Sequence, residues 1–334
     1  MIMGVFQGKD VIPRSDRRAT WHDYQGRGLY MLTFRKNGPV EDFCAITDNP
    51  VRGQRLNPQI RLSESGEALT RAILRFGHEN PALQVLRYMV MPDHLHLLLF
   101  VRERLKEPFG SMVARFKGGC SREYWATLPE EEQAVRIPVF SRNYHDRIVT
   151  RRGQLQALID YIRDNPRRYL LKKLLPEMFV RKNRLVINGK AYMAFGNPLL
   201  LREPEKEMVL VRSHFTPEEV EALKERWRRC SRNGGVLVSP FISPRERAVM
   251  RETLESGGKI IEILDNGLPE RFKPAGKAFD YCANGQLLYI APAEYSSRRI
   301  QMTRALAWRL NALAAEVCAL DASSLLSLNP LPRQ

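Results

Sequence analysis

The stretch from Leu83 to Val101, "LQVLRYMVMPDHLHLLLFV", constrains the fold more than any other part of the chain. Two apolar runs of strand length are separated only by Pro92-Asp93, a pair that favours a turn, so the stretch predicts an antiparallel β-hairpin. Its second run carries His94 and His96 with one leucine between them. Successive strand side chains point to opposite faces, so both imidazoles project from the same face. Two neutral imidazoles on a rigid strand are well placed to hold a divalent cation. Taken alone, the pair fits a polar strand face equally well.

The surrounding patterns give the hairpin its neighbours. A strand over Leu29–Lys36 is followed by a loop rich in Asn, Asp, Pro and Gly. Leu69, Ile73 and Leu74 then recur at helical spacing behind Ser63-x-x-Gly66, a poor capping box. After the hairpin, residues 107–128 read as a helix weakened by Gly118-Gly119, with Met112, Phe116 and Trp125 as core candidates. Val139–Val149 alternates as a strand, and residues 153–173 read as a helix with a break at Asn165-Pro166. The order β-α-β-β-α-β followed by a helix predicts an α+β, ferredoxin-like antiparallel sheet with its helices on one face.

Residues 186–206 read as a connector. From residue 207 continuous apolar strands, among them "GGVLVSPF", "GKIIEIL" and "QLLYIAP", alternate with helices at Thr216–Ser231, from Ser243, and at Ser297–Leu320. That alternation predicts a small Rossmann-like α/β domain with a doubly wound parallel sheet. The expected division is therefore 1–185, a connector, and 207–334.

Charge points to a partner. Lys and Arg number 53 against 37 Asp and Glu, a net +16. Residues 1–185 hold 32 basic and 20 acidic residues, so most of the excess lies in the first half. A polyanion, nucleic acid first among them, is the expected partner. Cys44, Cys120, Cys230, Cys282 and Cys318 form no CxxC pair, which argues against a zinc ribbon or a disulfide framework and suits a reducing cytoplasm. The N-terminus lacks a signal-peptide apolar core, no run reaches membrane-spanning length, and no membrane partner is expected.

A cation on two histidines needs further ligands from another element. In "LIDYIRDNP", Tyr161 and Asn165 are four apart and share a helical face. A tyrosine hydroxyl beside a divalent cation can serve as a nucleophile toward a phosphodiester. Tyr144 and Tyr169 compete for that role, although tyrosines of this kind are commonly structural. Asn165 before Pro166 also fits a helix N-cap.

Here the sequence resembles a known family. "MPDHLHLLL" is similar to the HUH histidine motif of single-strand DNA nucleases, U being a bulky apolar residue. "YIRDNPRR" resembles the nucleophile helix of the REP-associated tyrosine transposases, relatives of the single-tyrosine insertion-sequence transposases. "VARFKGGCSREYW" and "FSRNYHDRIV" resemble that family's intervening helix and strand, in the same order. The resemblance covers about residues 20–175.

It implies a role for each matching position. His94 and His96 would bind Mg²⁺ or Mn²⁺, with the Asn165 amide oxygen as a third ligand. Tyr161 would attack the scissile phosphate to give a 5′-phosphotyrosine and a free 3′-OH. The implied substrate is hairpin DNA with an adjacent single-stranded segment, and the implied state a monomer or homodimer. The basic residues flanking the site, Arg115, Lys117, Arg142, Arg147, Arg163, Arg167 and Arg168, would contact DNA, with Trp21 and Tyr24 available for base stacking. Asp93 reads as turn chemistry, and His145 as a surface or packing residue.

The second domain faintly resembles the DNA-processing protein A family. Ser239, Ser243 and Arg245 lie where a strand end meets a helix start, a candidate anion-binding site. No GxGxxG or Walker loop is present. Two alternatives follow: a hairpin-DNA-binding protein that cleaves little or not at all, and a nucleotide enzyme with a basic appendage.

Overall fold

The computed structural model describes residues 19, 21–50 and 56–320. The chain divides into two compact units, Met1–Leu170 and Leu171–Gln334. Unit 1 contains β1 (Gly28–Lys36), β2 (Cys44–Asp48), β3 (Pro58–Leu62), α1 (Glu64–Glu79), β4 (Leu83–Met91), β5 (His94–Val101), α2 (Phe109–Trp125), the single turn α3 (Glu130–Gln133) and β6 (Phe140–Ile148). Helix α4 (Gln154–Leu174) closes it and ends just past the division.

The main sheet runs β4-β5-β1-β6, antiparallel throughout. This is the βαββαβ order expected from sequence, with the first strand in the interior of the sheet. One face carries Tyr30, Leu32 and Phe34 of β1 with Leu95, Leu97 and Leu99 of β5. They pack in one core with Leu69, Ile73 and Phe76 of α1 and Phe109, Met112 and Phe116 of α2. The other face carries Met31 and Leu98, which meet Leu158 and Ile162 of α4. The expectation of helices on one face therefore holds for α1 and α2 and fails for α4. Alternation explains it: β1 and β5 carry apolar residues on both faces, Met31 and Leu98 on the second, so each face needs a cover.

Helix α4 is also continuous through Pro166, where a break was expected. The proline ring removes one backbone donor, at a cost of about 3 kcal/mol for an interior position. Burial of Leu158 and Ile162 before it, and of Leu170 after it, holds the helix across that gap. Asn165 is thereby mid-helix and caps nothing.

The segment read as a loop after β1 forms the β2–β3 ribbon instead. It approaches α1 so closely that a Cβ on Gly66 would lie 1.9 Å from the Phe43 carbonyl oxygen. This accounts for the poor capping box. Ser63 Oγ accepts from Gly66 N at 3.3 Å, but no glutamate fits at Gly66. Glu41 supplies a carboxylate from outside the helix, accepting from Ser65 N at 3.1 Å.

Unit 2 holds β7 (Val180–Ile187), β8 (Lys190–Gly196), β9 (Lys206–Met208), α5 (Pro217–Arg232), β10 (Val236–Ser239), α6 (Pro244–Glu255), β11 (Lys259–Ile263), α7 (Lys277–Ala283), β12 (Leu287–Pro292) and α8 (Arg304–Cys318). Its sheet runs β7-β8-β12-β11-β10-β9, with β9 to β12 parallel and the β7–β8 hairpin antiparallel. The supposed connector thus supplies most of that hairpin, and the unit begins at 171 rather than 207. The doubly wound expectation also needs correcting. The four parallel strands lie in sequence order, so no reversal exists among them to form a switch point. Residues of α5, α6 and α7 share a core with Leu237, Ile260 and Leu287, while α8 packs with Val236, Val238, Ile261 and Ile263 from the opposite face.

Candidate functional site

The β4–β5 turn is pinned before any side chain acts. Phe43 N donates to Pro92 O at 3.0 Å, and Lys36 N donates to Asp93 O at 2.9 Å. From this fixed turn β5 projects His94 and His96 onto the α4 face, opposite Arg35 and Thr33 of β1. His96 is 5% exposed and the His94 side chain 22%.

Each ring is held from behind. His94 Nδ1 lies 2.6 Å from Asp93 Oδ1, and His96 Nδ1 lies 2.9 Å from Thr33 Oγ1. The hydrogen bond to His94 holds the Asp93 carboxyl below its ordinary range. An Asp93 carboxylate that accepts from His94 Nδ1–H leaves the His94 Nε2 lone pair free. The two Nε2 atoms converge to 3.1 Å.

Thr33 serves either of two arrangements. With no cation its hydroxyl donates to His96 Nδ1, and His96 Nε2–H donates to His94 Nε2. To hold a cation the pair would need the hydroxyl to accept from His96 Nδ1–H instead, leaving both Nε2 lone pairs available. Once the His96 proton moves to Nδ1, the two Nε2 atoms would be placed to share one divalent cation.

Helix α4 brings Tyr161 to this pair. The ring of Tyr161 lies 5.7 Å from that of His96, centroid to centroid, in an edge contact. The Arg168 guanidinium lies 5.7 Å from the Tyr161 ring centre. Asn165 is buried one turn beyond Tyr161, and its Nδ2 has no hydrogen-bond partner. Amide nitrogen and oxygen are interchangeable by a flip. Turned over, Asn165 would offer an oxygen that a cation could satisfy. The donor set of two imidazoles and an amide oxygen suits a divalent metal.

The competing tyrosines lie elsewhere. Tyr144 pairs with Phe34 across β6 and β1 and packs on the opposite face of the sheet. Tyr169 packs with Cys44, Met91 and Leu170, and burial pushes its phenol pKa up. His145 shares the Thr33 register on β6, hence the site face, and is exposed.

The seven basic residues fare differently. Arg142 and Arg147 are exposed on the edge strand β6, and neither guanidinium has an ion-pair partner among the described residues. Lys117 is spent on the carbonyls of Ser141 and Arg142, at 2.6 and 2.9 Å. Arg115 pairs with Glu107 and Asn80, and Arg163 with Asp160. Arg167 and Arg168 both hold Asp164 at 2.6 Å. Burial acts to raise the Asp164 pKa, but these two arginines outweigh it and hold the carboxyl low. Trp21 is 71% exposed, whereas Tyr24 stacks on Tyr30.

The anion site expected in unit 2 is not assembled. Ser239 is fully buried, and its Oγ accepts from Phe241 N at 3.0 Å. Ser243 Oγ accepts from Glu246 N while Glu246 accepts from Ser243 N, a closed capping box. A carboxylate thus already occupies that helix start, and Arg245 is exposed in the first turn of α6. Glu205, Glu207 and Cys230 bring ligand atoms within 4.8 Å of one another. Glu207 is paired with Arg226 at 2.7 Å, however, and burial together with the two carboxylates pushes the Cys230 thiol up to about 12.

Thr33 and the pinning of Asp93 were not foreseen. The only sequence signal for Thr33 was one polar residue in an apolar strand, and the strand register was needed to use it.

Two histidines from one strand, backed by hydrogen bonds, face a helix-borne tyrosine in the N-terminal unit. Residues 60–165 match the family model described as "Transposase IS200 like", a span that contains His94, His96, Tyr161 and Asn165. The chain is also similar to an uncharacterized protein of Haemophilus influenzae, 22% identical, over 46% of this chain and 88% of that one. Among solved structures, a REP-associated tyrosine transposase bound to a REP hairpin is 14% identical with a TM-score of 0.32, over 46% of this chain and 74% of its own. A protein of Deinococcus radiodurans described as a transposase is 17% identical with a TM-score of 0.28, over 45% and 96%. The family match ends at residue 165, so it describes unit 1 alone. No helix among the described residues is long and apolar enough to cross a membrane.

Proposed function

We propose that unit 1 is a metal-dependent, single-strand DNA endonuclease and strand transferase that acts on hairpin DNA through Tyr161. The observation that carries this reading is the 3.1 Å convergence of two backed imidazole nitrogens beside the Tyr161 ring. The transposase family match and the basic first half support it. The hairpin substrate follows from the resemblance.

In this reading His94 Nε2, His96 Nε2 and a turned Asn165 amide would hold Mg²⁺ or Mn²⁺, which would supply Lewis-acid stabilisation of phosphate charge. Asp93 and Thr33 hold the two rings in position. Tyr161 gives up its phenolic proton and its oxygen attacks phosphorus in line. The bond from phosphorus to the 3′ oxygen breaks, that oxygen takes a proton and leaves as a free 3′-OH, and the downstream fragment stays on Tyr161 through its 5′ phosphate. Arg168, paired with Asp164, lies over the Tyr161 ring and helps to hold it in place. Attack by a 3′-OH on the phosphotyrosine rejoins a strand and returns the proton to Tyr161. One phosphodiester is exchanged for another at each step, so no energy-carrying cofactor is required.

The test is a denaturing gel of labelled single-stranded hairpins incubated with protein and Mn²⁺, with the hairpins drawn from repeats beside the source gene. A covalent band that EDTA removes and Tyr161→Phe abolishes, with hairpin binding retained, is the expected result. Tight binding with no band under Mg²⁺ or Mn²⁺ would replace the reading with a hairpin-binding protein.

A further inference from the structure

The uncompensated charge of unit 2 lies around α8. From Tyr295 to Arg309 the chain carries four arginines and no acidic residue. Arg298 and Arg299 stand between β12 and α8, Arg304 and Arg309 on α8 itself, and all four are exposed. Among the described residues none of them has a carboxylate partner. Two aromatic side chains stand with them, Trp308 at 71% exposure and Tyr295 at 51%.

The solvated face of α5 in the same unit is built differently. There Arg226 is held by Glu207, Arg228 by Glu221 and Glu252, and Arg232 by Glu225. Around α8 the like charges are left to repel one another, and a polyanion would relieve that repulsion.

The patch is also fixed in place. Asn266, after β11, donates from Nδ2 to Ser296 O at 2.7 Å and accepts at Oδ1 from Ser296 N at 2.9 Å. Ser296 Oγ accepts from Arg298 N at 3.2 Å. Six residues separate Arg298 from Arg304, at most about 20 Å of chain. Arg304 and Trp308 are four apart on α8 and share a face. The core side of that helix is taken by Leu310, Leu313, Ala314 and Val317, so the exposed indole is not needed for packing.

An exposed indole among guanidinium groups suits a partner with phosphates for the arginines and a free base face for the ring. In a duplex those faces are covered by stacking, so the partner is unpaired. A second copy of a chain at +16 would be repelled. We propose that the α8 surface of unit 2 is a second nucleic-acid site that binds single-stranded DNA or RNA without need of a hairpin. Trp308 stacks on a base, and Arg298, Arg299, Arg304 and Arg309 meet the phosphates. The site lies outside the span of the transposase match and does not depend on the nuclease reading.

The experiment uses the full chain with labelled, unstructured oligo-dT and oligo-U of about 16 nucleotides, the upper end of single-strand sites, and a GC duplex of equal length. Probe anisotropy and tryptophan emission are read from about 50 to 200 mM salt. At least one single strand is expected to bind and quench the emission, and Trp308→Phe should remove that quench while keeping most of the affinity. Trp308→Ala should weaken single-strand binding about tenfold and leave the duplex unchanged. Arg304→Ala with Arg309→Ala should lower the single-strand salt slope by about 1.4.

No single-strand binding, unchanged affinity in Trp308→Ala, or a quench that survives Trp308→Phe would overturn the proposal. Equal losses on the duplex would reduce the patch to charge alone and overturn it as well. Displacement of both single strands by polyglutamate at matched charge would make it a surface for an acidic protein instead. Adduct formation through Tyr161 reports the nuclease separately, so either idea can fail while the other stands.

Discussion

Thr33 and His96 face one another across β1 and β5, joined Oγ1 to Nδ1 at 2.9 Å, and this contact fixes which way the buried imidazole points. Outer partners of this kind commonly govern metal affinity by 10–100-fold. Thr33→Val keeps the shape and removes the hydroxyl. Mn²⁺ binding followed by calorimetry should weaken by about that factor, with little change in Tm. Unchanged Mn²⁺ affinity would mean that packing alone orients His96.

Asn165 tests the amide's assignment. Its buried Nδ2 has no partner, so Asn165→Ala should cost the fold little beyond a small cavity. It should nevertheless weaken Mn²⁺ binding and slow adduct formation. Asn165→Asp puts a carboxylate oxygen at the same place and should bind Mn²⁺ at least as well as the wild type at neutral pH. A large stability loss in the alanine variant with Mn²⁺ affinity intact would make the residue structural.

Gly66 tests the close approach of the β2–β3 ribbon to α1. Ala at this position would set a methyl 1.9 Å from the Phe43 carbonyl oxygen, a backbone atom that cannot swing aside. Overpacking of this kind costs about 1–3 kcal/mol. A melting curve should show a Tm several degrees lower for Gly66→Ala, although Ala is the better helix former.

Glu262 gives unit 2 a pH dependence. Burial raises its pKa from an ordinary 4.5 to about 7, with Arg247 offsetting part of the effect. Between those values the folded chain holds a proton that the unfolded chain has lost. Stability therefore falls as pH rises from about 4.5 to about 7, by at most ~1.4 kcal/mol per unit. Chemical denaturation across that range should show the slope, and Glu262→Gln should flatten it and raise stability above pH 7. An identical slope in both proteins would assign it to another group.

How much of this was legible beforehand varied with the distance over which each signal acts. The β4–β5 hairpin and the shared face of His94 and His96 follow from two-residue alternation and one turn, all local in the chain. The common face of Tyr161 and Asn165 follows equally from helical spacing. The break expected at Pro166 did not occur, because a local backbone penalty was outweighed by side chains packing on Met31 and Leu98 of distant strands.

By itself the sequence determined the alternation of strands and helices, the basic first half, and the residue types able to hold a cation and attack a phosphate. Only the tertiary structure decided what depends on register and chain path. Pairing of β1 with β5 brought Thr33 behind His96, and packing of α4 on the second sheet face brought Tyr161 beside it. The order of β9 to β12 removed the switch point that strand–helix alternation had suggested. Periodicity fixes which face a side chain occupies, but not which element will cover that face. That choice belongs to long-range packing, which no local pattern encodes.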